Sequence, residues 1–116
     1  MQVLIIADDL TGALDSAVAF TGGGRRVVVA RDVARIPEAL ERAPDVLSVN
    51  LACREGDADT ARARMRACVD QLDLGAVPVV VKKVDSRLKG HVGVECAALA
   101  DAMAPERIVA LPAVPQ

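Results

Sequence analysis

The stretch Val3-Leu4-Ile5-Ile6-Ala7-Asp8-Asp9-Leu10-Thr11-Gly12 opens the chain with an apolar run that ends in two carboxylates and leads into a helical pattern. Similar apolar runs recur along the chain, at residues 27–30, 46–49, 77–81 and 108–111. These runs are continuous rather than alternating, which is typical of strands that are buried on both faces of a parallel sheet. The first run therefore predicts one strand of such a sheet.

Helical patterns separate the apolar runs. The first helix is predicted because Leu10, Leu14, Ala17 and Val18 recur at helical spacing, and it is predicted to end at the glycine run 22–24. A weaker helix covers 37–42. The third begins near Asp57, whose carboxylate can cap free N–H groups, and the last precedes the final strand. The apolar stripes of these last two helices are Ala61, Met65, Cys68 and Leu72, and Val92, Cys96, Leu99 and Met103. This alternation predicts an α/β fold with an open, mainly parallel sheet and flanking helices, a Rossmann-like three-layer architecture.

Composition excludes several classes of function. The 116 residues suffice for one domain, and the formal net charge of −2 argues against a general nucleic-acid binder. Phe20 is the single aromatic residue, so bases would have almost no ring to stack on. No apolar stretch approaches the ~20 residues that span a bilayer. The chain has no signal-peptide pattern and three widely spaced cysteines, which predicts a soluble cytoplasmic protein with reduced thiols, no membrane contact and no metal site.

Polar clusters follow three of the predicted strands. Asp8 and Asp9 follow the first strand, residues 50–54 follow the third, and residues 82–90 follow the fourth. In open parallel sheets, ligands bind beyond the carboxyl ends of the strands, so all three clusters should lie at one edge. The sequence therefore predicts a pocket for a small, hydroxylated anion.

Each cluster also has a purely structural interpretation. Asp8 or Asp9 can cap the following helix, or can accept hydrogen bonds from ligand hydroxyls and remove a proton. Arg54 is either a solvated loop residue or a planar fork that grips a carboxylate. Lys82 and Lys83 should point to opposite faces of their strand, so at most one of them easily reaches the pocket.

Other polar residues near the fourth strand leave similar alternatives open. Asp85 either belongs to the site or neutralises a lysine. His91 is predicted to cap or pack near the last helix, and Glu95 either hydrogen-bonds His91 or lies on the surface. Gly90 permits close approach of the backbone to a ligand, or permits only the turn.

These residues together resemble the N-terminal part of the four-carbon acid sugar kinase family, which includes threonate, erythronate and oxo-tetronate kinases. The resemblance rests on Ile6-Ala7-Asp8-Asp9-Leu10-Thr11-Gly12-Ala13 and on Lys82-Lys83-Val84-Asp85-Ser86 with Leu88 and Gly90. The loop at 50–54 and the closing Leu111-Pro112-Ala113-Val114-Pro115 also fit. The order and spacing match over essentially the whole chain.

The resemblance implies an N-terminal sugar-acid-binding domain at residues 1–116, with an ATP-binding C-terminal domain that this chain lacks. ATP and Mg²⁺ would be bound mainly by that second domain, and a homo-oligomer is compatible with the family. The implied catalytic residues are Asp8, Asp9 and Asp85. The implied substrate-binding residues are Asp8, Asp9, Arg54, Lys83, Asp85, Ser86, Arg87, Lys89 and Gly90. The family more often has Thr, Arg and Asn at positions 87, 89 and 91, which leaves the preferred acid open.

The predicted function is therefore substrate binding in an ATP-dependent kinase that phosphorylates a four-carbon acid sugar. The isolated chain is expected to bind weakly and to be inactive. The alternative is a stand-alone module that binds a small carboxylate without catalysis, and a third reading is a fragment whose polar loops are merely solvated.

Overall fold

The computed structural model describes residues 1–84, 90–102 and 108–112, the last five by their backbone. Its strands are β1 (Val3–Ala7), β2 (Val27–Ala30), β3 (Val46–Asn50), β4 (Val79–Val84) and β5 (Ile108–Pro112). Its helices are α1 (Leu10–Val18), α2 (Ile36–Glu41), α3 (Ala58–Asp70) and α4 (Val92–Ala102), with short 3₁₀ turns at Val33–Arg35 and Leu74–Ala76. Within these residues, no helix is both long and apolar enough to cross a membrane.

The five strands form one parallel sheet in the order β2-β3-β1-β4-β5. The predicted α/β class with an open parallel sheet and flanking helices is confirmed. The register pairs Ala7 at the end of β1 with Asn50 on one side and with Lys83 on the other. The residues that follow β1 and β3, and those that end β4, therefore lie side by side at the carboxyl edge of the sheet.

The helices divide between the two faces of the sheet. The larger core includes Leu4, Leu47 and Ile36 together with Met65 of α3 and Leu99 of α4. Right-handed crossovers explain this distribution, because the chain steps in one direction from β1 to β2 and in the other direction afterwards. Helix α1 therefore covers one face, and α2, α3 and α4 share the opposite face.

Helix α1 is present, but the apolar residues that recur at helical spacing in it are not its buried face. Leu10, Leu14 and Val18 are exposed, whereas Ala17 is buried. Gly12 and Ala13 are the other residues that α1 buries, because small side chains let this helix lie close to the sheet. The hydroxyl of Ser48 on β3 donates to the Ala13 carbonyl oxygen at 2.8 Å, which fixes that close contact.

Two further helix predictions can be compared with the structure. Asp57 is the N-cap of α3 and accepts a 2.7 Å hydrogen bond from the Thr60 N–H, as predicted. The glycine run at 22–24 is not the C-cap of α1, because the helix ends at Val18 and Ala19 caps it with an ordinary helical φ. The three glycines, all at positive φ, instead form the turn that leads towards β2.

Candidate functional site

An ion pair between Asp8 and Arg54 lies at the carboxyl edge of the sheet. Arg54 Nη2 is 3.0 Å from Asp8 Oδ1, and Arg54 Nε donates to Asp8 Oδ2 at 3.4 Å. The Asp8 side chain is only 3% exposed, so the two-point contact compensates a carboxylate that water scarcely reaches. The predicted convergence of the loops after β1 and β3 is present in the structure.

Asp9 has two roles in the same cluster. Its Oδ1 accepts the Gly12 N–H at 2.8 Å, which makes it the N-cap of α1. Its Oδ2 lies 2.9 Å from Arg54 Nη1. The guanidinium thus sits between two carboxylates. Asp9 is therefore the residue that caps α1, and the Asp8 carboxylate does not take part in capping.

The loop that presents Arg54 is held by backbone hydrogen bonds to β1. The Leu51 N–H donates to the Ala7 carbonyl oxygen at 2.8 Å, and the Cys53 N–H donates to the Asp8 carbonyl oxygen at 3.1 Å. Between them, Ala52 has a φ of +53°, a conformation that residues other than glycine rarely adopt. These contacts define the position of Arg54 relative to Asp8.

Two polar side chains, Arg64 and Asn50, hydrogen-bond the backbone of this loop. Arg64 of α3 donates to the Leu51 and Ala52 carbonyl oxygens at 3.1 and 2.9 Å. Asn50 accepts the Ala52 N–H at 2.8 Å and donates to the Arg31 carbonyl oxygen at 2.9 Å. These hydrogen bonds hold the turn at Ala52 in its strained conformation, which is a common arrangement in binding loops.

Gly90 approaches the cluster from the start of α4. Its φ is +88°, and a Cβ added to it would lie 2.7 Å from Asp8 Oδ2 and 3.6 Å from Arg54 Cγ. Next to it, His91 Nε2 is hydrogen-bonded to the Gly56 carbonyl oxygen. His91 therefore packs beside the helix start, as predicted, and links α4 to the loop after β3.

An open cavity of about 320 Å³ lies against this cluster. It is lined by Asp8, Asp9, Leu10, Asn50, Ala52, Arg54 and Glu55. A larger cavity of about 450 Å³ lies elsewhere, along β2 and α2. We assign the site to the smaller cavity, because it lies at the carboxyl edge of the sheet and has facing carboxylates and a guanidinium. In the described part of the chain, no group of three or more His, Cys, Asp or Glu side chains is arranged to hold a metal ion.

The two lysines of β4 point to opposite faces, as predicted. Lys83 lies on the α1 side, where a Cβ on Gly12 would be 3.4 Å from its Cγ, and its ammonium donates to the Val84 carbonyl oxygen. Lys82 lies on the other face, 2.8 Å from Glu95 Oε1. Both expectations for the Glu95 side chain are wrong, because it is fully buried and pairs with Lys82 rather than with His91 or water.

The thiol of Cys53 lies behind the site. Burial, and then the negative charges of Glu95 and Asp8, raise the pKa of Cys53 to about 12. The thiol is therefore neutral at physiological pH and takes no part as a nucleophile.

Four residues of the predicted site cannot be placed. Asp85, Ser86, Arg87 and Lys89, together with Leu88 of the family motif, lie outside the described residues. The structure brings together Asp8, Asp9, Arg54 and Gly90, with Lys83 beside Gly12. It also adds residues that the sequence reasoning missed or misassigned, namely Arg64, Asn50 and the Lys82–Glu95 pair. A lone carboxylate in the otherwise apolar turn 92–99 was the available signal for that pair.

Comparison with known proteins identifies a family. A family model described as the sugar-binding N-terminal domain matches residues 3–116. A D-threonate kinase of Salmonella typhimurium is 32% identical over 116 residues, covering 99% of this chain and 27% of the relative. A D-threonate kinase of Cupriavidus necator is 39% identical over 86% of this chain. A D-erythronate kinase of Heliobacterium modesticaldum is 30% identical over 92% of it. The chain spans about a quarter of the length of these relatives, 24% in the last two cases.

A solved structure has the same fold. The crystal structure of a protein of previously unassigned function from Bordetella bronchiseptica, a domain-swapped dimer with bound citrate, superposes with a TM-score of 0.77. The two are 35% identical, over 88% of this chain and 26% of that one. The family model, the fold and the resemblance found in the sequence agree, and the chain belongs to the family of sugar-binding N-terminal domains found in D-threonate and D-erythronate kinases.

Proposed function

We propose that this chain is the substrate-binding domain of an ATP-dependent kinase that phosphorylates a four-carbon sugar acid of the threonate or erythronate type. The observation that carries the proposal is the cluster of Asp8, Asp9, Arg54 and Gly90 at the carboxyl edge of a sugar-binding domain. The kinase names of the relatives support the reaction type.

The proposed roles follow from the chemistry of the side chains. Carboxylates accept hydrogen bonds from the hydroxyls of a sugar acid, and Asp8, Asp9 or Asp85 serves as the base for the hydroxyl that reacts. The structure refines the role of Arg54. Because Asp8 and Asp9 already engage three of its nitrogens, it chiefly sets the spacing of the two carboxylates, and any contact it makes to the ligand is additional.

The carboxylate of the sugar acid then requires other cations. The segment 82–89 contributes Lys83, Arg87 and Lys89, and Ser86 adds a hydroxyl donor. We propose that this segment, together with Arg54, binds the ligand carboxylate, while Gly90 keeps the approach to Asp8 open.

ATP and Mg²⁺ supply the phosphoryl group and neutralise its charge. We propose that they bind mainly to a C-terminal domain outside residues 1–116, as expected for a chain that spans about a quarter of its relatives. A cytoplasmic, self-associating enzyme is part of the same proposal, and the dimer of the Bordetella protein supports the self-association.

The test is ADP formation by the protein that carries this chain in its natural gene, supplied with ATP, Mg²⁺ and single four-carbon acids. D-Threonate and D-erythronate are the first substrates, and five- and six-carbon sugar acids are the controls. We expect ADP only with a four-carbon acid. No ADP above the acid-free rate with any of them would contradict the proposal.

A second candidate is a small-carboxylate-binding module without catalysis. Citrate in the Bordetella structure favours it, because citrate is a small hydroxylated carboxylate. Calorimetric titration of residues 1–116 with citrate and with D-threonate separates the two functions. Tight binding of citrate by this chain, with no ADP formed by the complete protein, would favour the module.

A further inference from the structure

The most unusual feature outside the acidic cluster is a fully buried ion pair beneath it. Lys82 Nζ lies 2.8 Å from Glu95 Oε1, and the two side chains are 1% and 0% exposed. Lys82 is among the largest fully buried side chains of the described core. Nothing in the proposed roles of the cavity residues requires a second cation and carboxylate here.

Stability does not account for this pair. Removing two charges from water costs about as much as their attraction returns, and well-packed apolar residues of similar volume usually serve as well or better. The surroundings are apolar, since Leu99 and Ala98 of the same helix turn belong to the larger core. A buried ion pair at this place is better explained by the way it fixes the two segments that carry Lys82 and Glu95 relative to each other.

The pair joins the two ends of one connection. Lys82 lies in β4, and its ammonium also donates to the Lys83 carbonyl oxygen at 2.9 Å, near the end of that strand. Glu95 lies in the first turn of α4, and its N–H donates to the His91 carbonyl oxygen at 2.9 Å. The segment between these anchors, residues 85–91, carries most of the residues predicted to bind the ligand.

The same pair borders the loop that presents Arg54. The charges of Glu95 and Lys82 both act on the Cys53 thiol, and the Cys53 N–H is bonded to the Asp8 carbonyl oxygen. Three elements therefore meet at the pair: the end of β4, the start of α4 and the loop after β3. Gly90 lies just before α4 and packs against Asp8 and Arg54, so its position depends on how these three elements are held together.

We infer that Lys82 and Glu95 are positioning residues for sugar-acid binding: the pair fixes the start of α4 against the end of β4, and so sets Gly90 against Asp8 and Arg54. Neither residue touches the ligand. The identity of the ligand in this inference rests on the proposed function. The positioning of Gly90 by the ion pair rests only on the geometry of Lys82 and Glu95.

The test compares single and double variants of the protein that carries this chain. Lys82→Met and Glu95→Leu each leave one buried charge without its partner, so each is expected to lower the unfolding midpoint. The double variant Lys82→Met/Glu95→Leu removes both charges and is expected to recover most of the midpoint. Glu95→Gln, which keeps the shape of the side chain and cannot form the ion pair, is the fallback where the double variant does not fold.

A positioning role and a structural role differ in the folded double variant. We expect its KM for the sugar acid to rise on the order of tenfold to a hundredfold, because small displacements of binding groups are costly, while the KM for ATP is unchanged. A folded double variant, or a folded Glu95→Gln variant, with a wild-type KM for the acid would overturn the inference.

A ligand-independent measurement separates this inference from the proposed function. Amide hydrogen exchange at Gly90–Val94 and Cys53–Gly56 is expected to accelerate in the double variant, while exchange in α1 stays unchanged. If the wild-type protein uses no four-carbon acid, the proposed function fails, and the exchange data still decide the positioning role. Unchanged exchange in both segments would overturn it.

Discussion

Gly90 lies against Asp8 so closely that a single added methyl group would come within 2.7 Å of the carboxylate oxygen Oδ2. Gly90→Ala is therefore expected to displace Asp8 or the start of α4, and to strain a backbone at a φ of +88°. We predict a loss of stability above the ~1–2 kcal/mol that a left-handed alanine costs by itself. Urea denaturation measures this loss, and calorimetric titration measures the accompanying loss of sugar-acid affinity.

Two other glycines provide matched controls for that variant. Gly23 has a φ of +65° and Gly93 lies in α4, and an added Cβ would meet nothing within 4 Å at either position. Gly23→Ala reports the backbone strain alone, and Gly93→Ala is expected to be neutral or slightly stabilising. Equal losses in Gly90→Ala and Gly23→Ala would show that the contact with Asp8 has no consequence.

Arg54 compensates two carboxylates at once, so its removal should be costly. Arg54→Met leaves the buried Asp8 carboxylate without its partner, and we predict destabilisation of about 3 kcal/mol. Arg54→Lys should fall between wild type and Arg54→Met, because one ammonium cannot reproduce the planar fork. Thermal and urea unfolding of the three proteins measure the order.

The control for Arg54 is an arginine in an exposed pair. Arg62 lies 2.9 Å from Asp59, and the two side chains are 46% and 90% exposed. Arg62→Met is expected to change stability by no more than about 0.5 kcal/mol. If Arg54→Met were as mild as Arg62→Met, the cluster would have to be looser than the structure indicates.

The N-cap of α3 by Asp57 should contribute stability that is lost at low pH. The hydrogen bond from the Thr60 N–H lowers the pKa of Asp57 below its usual 3.8. A lowered pKa in the folded state contributes stability that is present above about pH 3.8 and is lost as the pH falls through the folded value. Asp57→Asn keeps a capping oxygen without a titratable charge. The stability difference between wild type and Asp57→Asn should therefore shrink between pH 5 and pH 3, as urea midpoints would show.

The buried thiols should ionise only at strongly alkaline pH. Burial is the main cause that raises the pKa of Cys53 and of Cys68 from 9.0 to about 12. At pH 8.5 we expect iodoacetamide to modify both far more slowly in the folded protein than in urea, as mass spectrometry would show. Above pH 9 the unfolded chain loses these protons and the folded chain keeps them, so stability should fall as the pH rises towards 12. Rapid labelling of Cys68 in the folded state would contradict its burial.

The sheet was predictable from sequence because strands that are buried on both faces have continuous apolar runs. The continuous apolar runs at β1, β2 and β3 correspond closely to the observed strands, although β4 begins and ends later than predicted. The polar run 82–90 is predicted to follow this strand, with Lys82 and Lys83 on opposite faces if the strand continues. In the structure they belong to β4, since each ammonium finds a carbonyl oxygen within hydrogen-bonding distance.

The meeting of Asp8, Asp9 and Arg54 was predictable, but the contacts among them were not. The rule that ligands bind at the carboxyl ends of parallel strands placed Asp8, Asp9 and Arg54 at one edge. It could not show that Arg54 would be shared between the two carboxylates, because that depends on the strained turn at Ala52. The location of Glu95 was missed because a lone carboxylate in an apolar stretch does not by itself show which face of the helix it occupies.

The apolar side chains of Leu10, Leu14 and Val18 form a ridge along the outer surface of α1. Each is spaced one turn from the next, so water contacts a continuous hydrocarbon strip that begins at the mouth of the cavity. The water-exposed part of such a strip adds nothing to the stability of this domain and favours association in concentrated samples. The light scattering of concentrated residues 1–116 should therefore depend on this ridge.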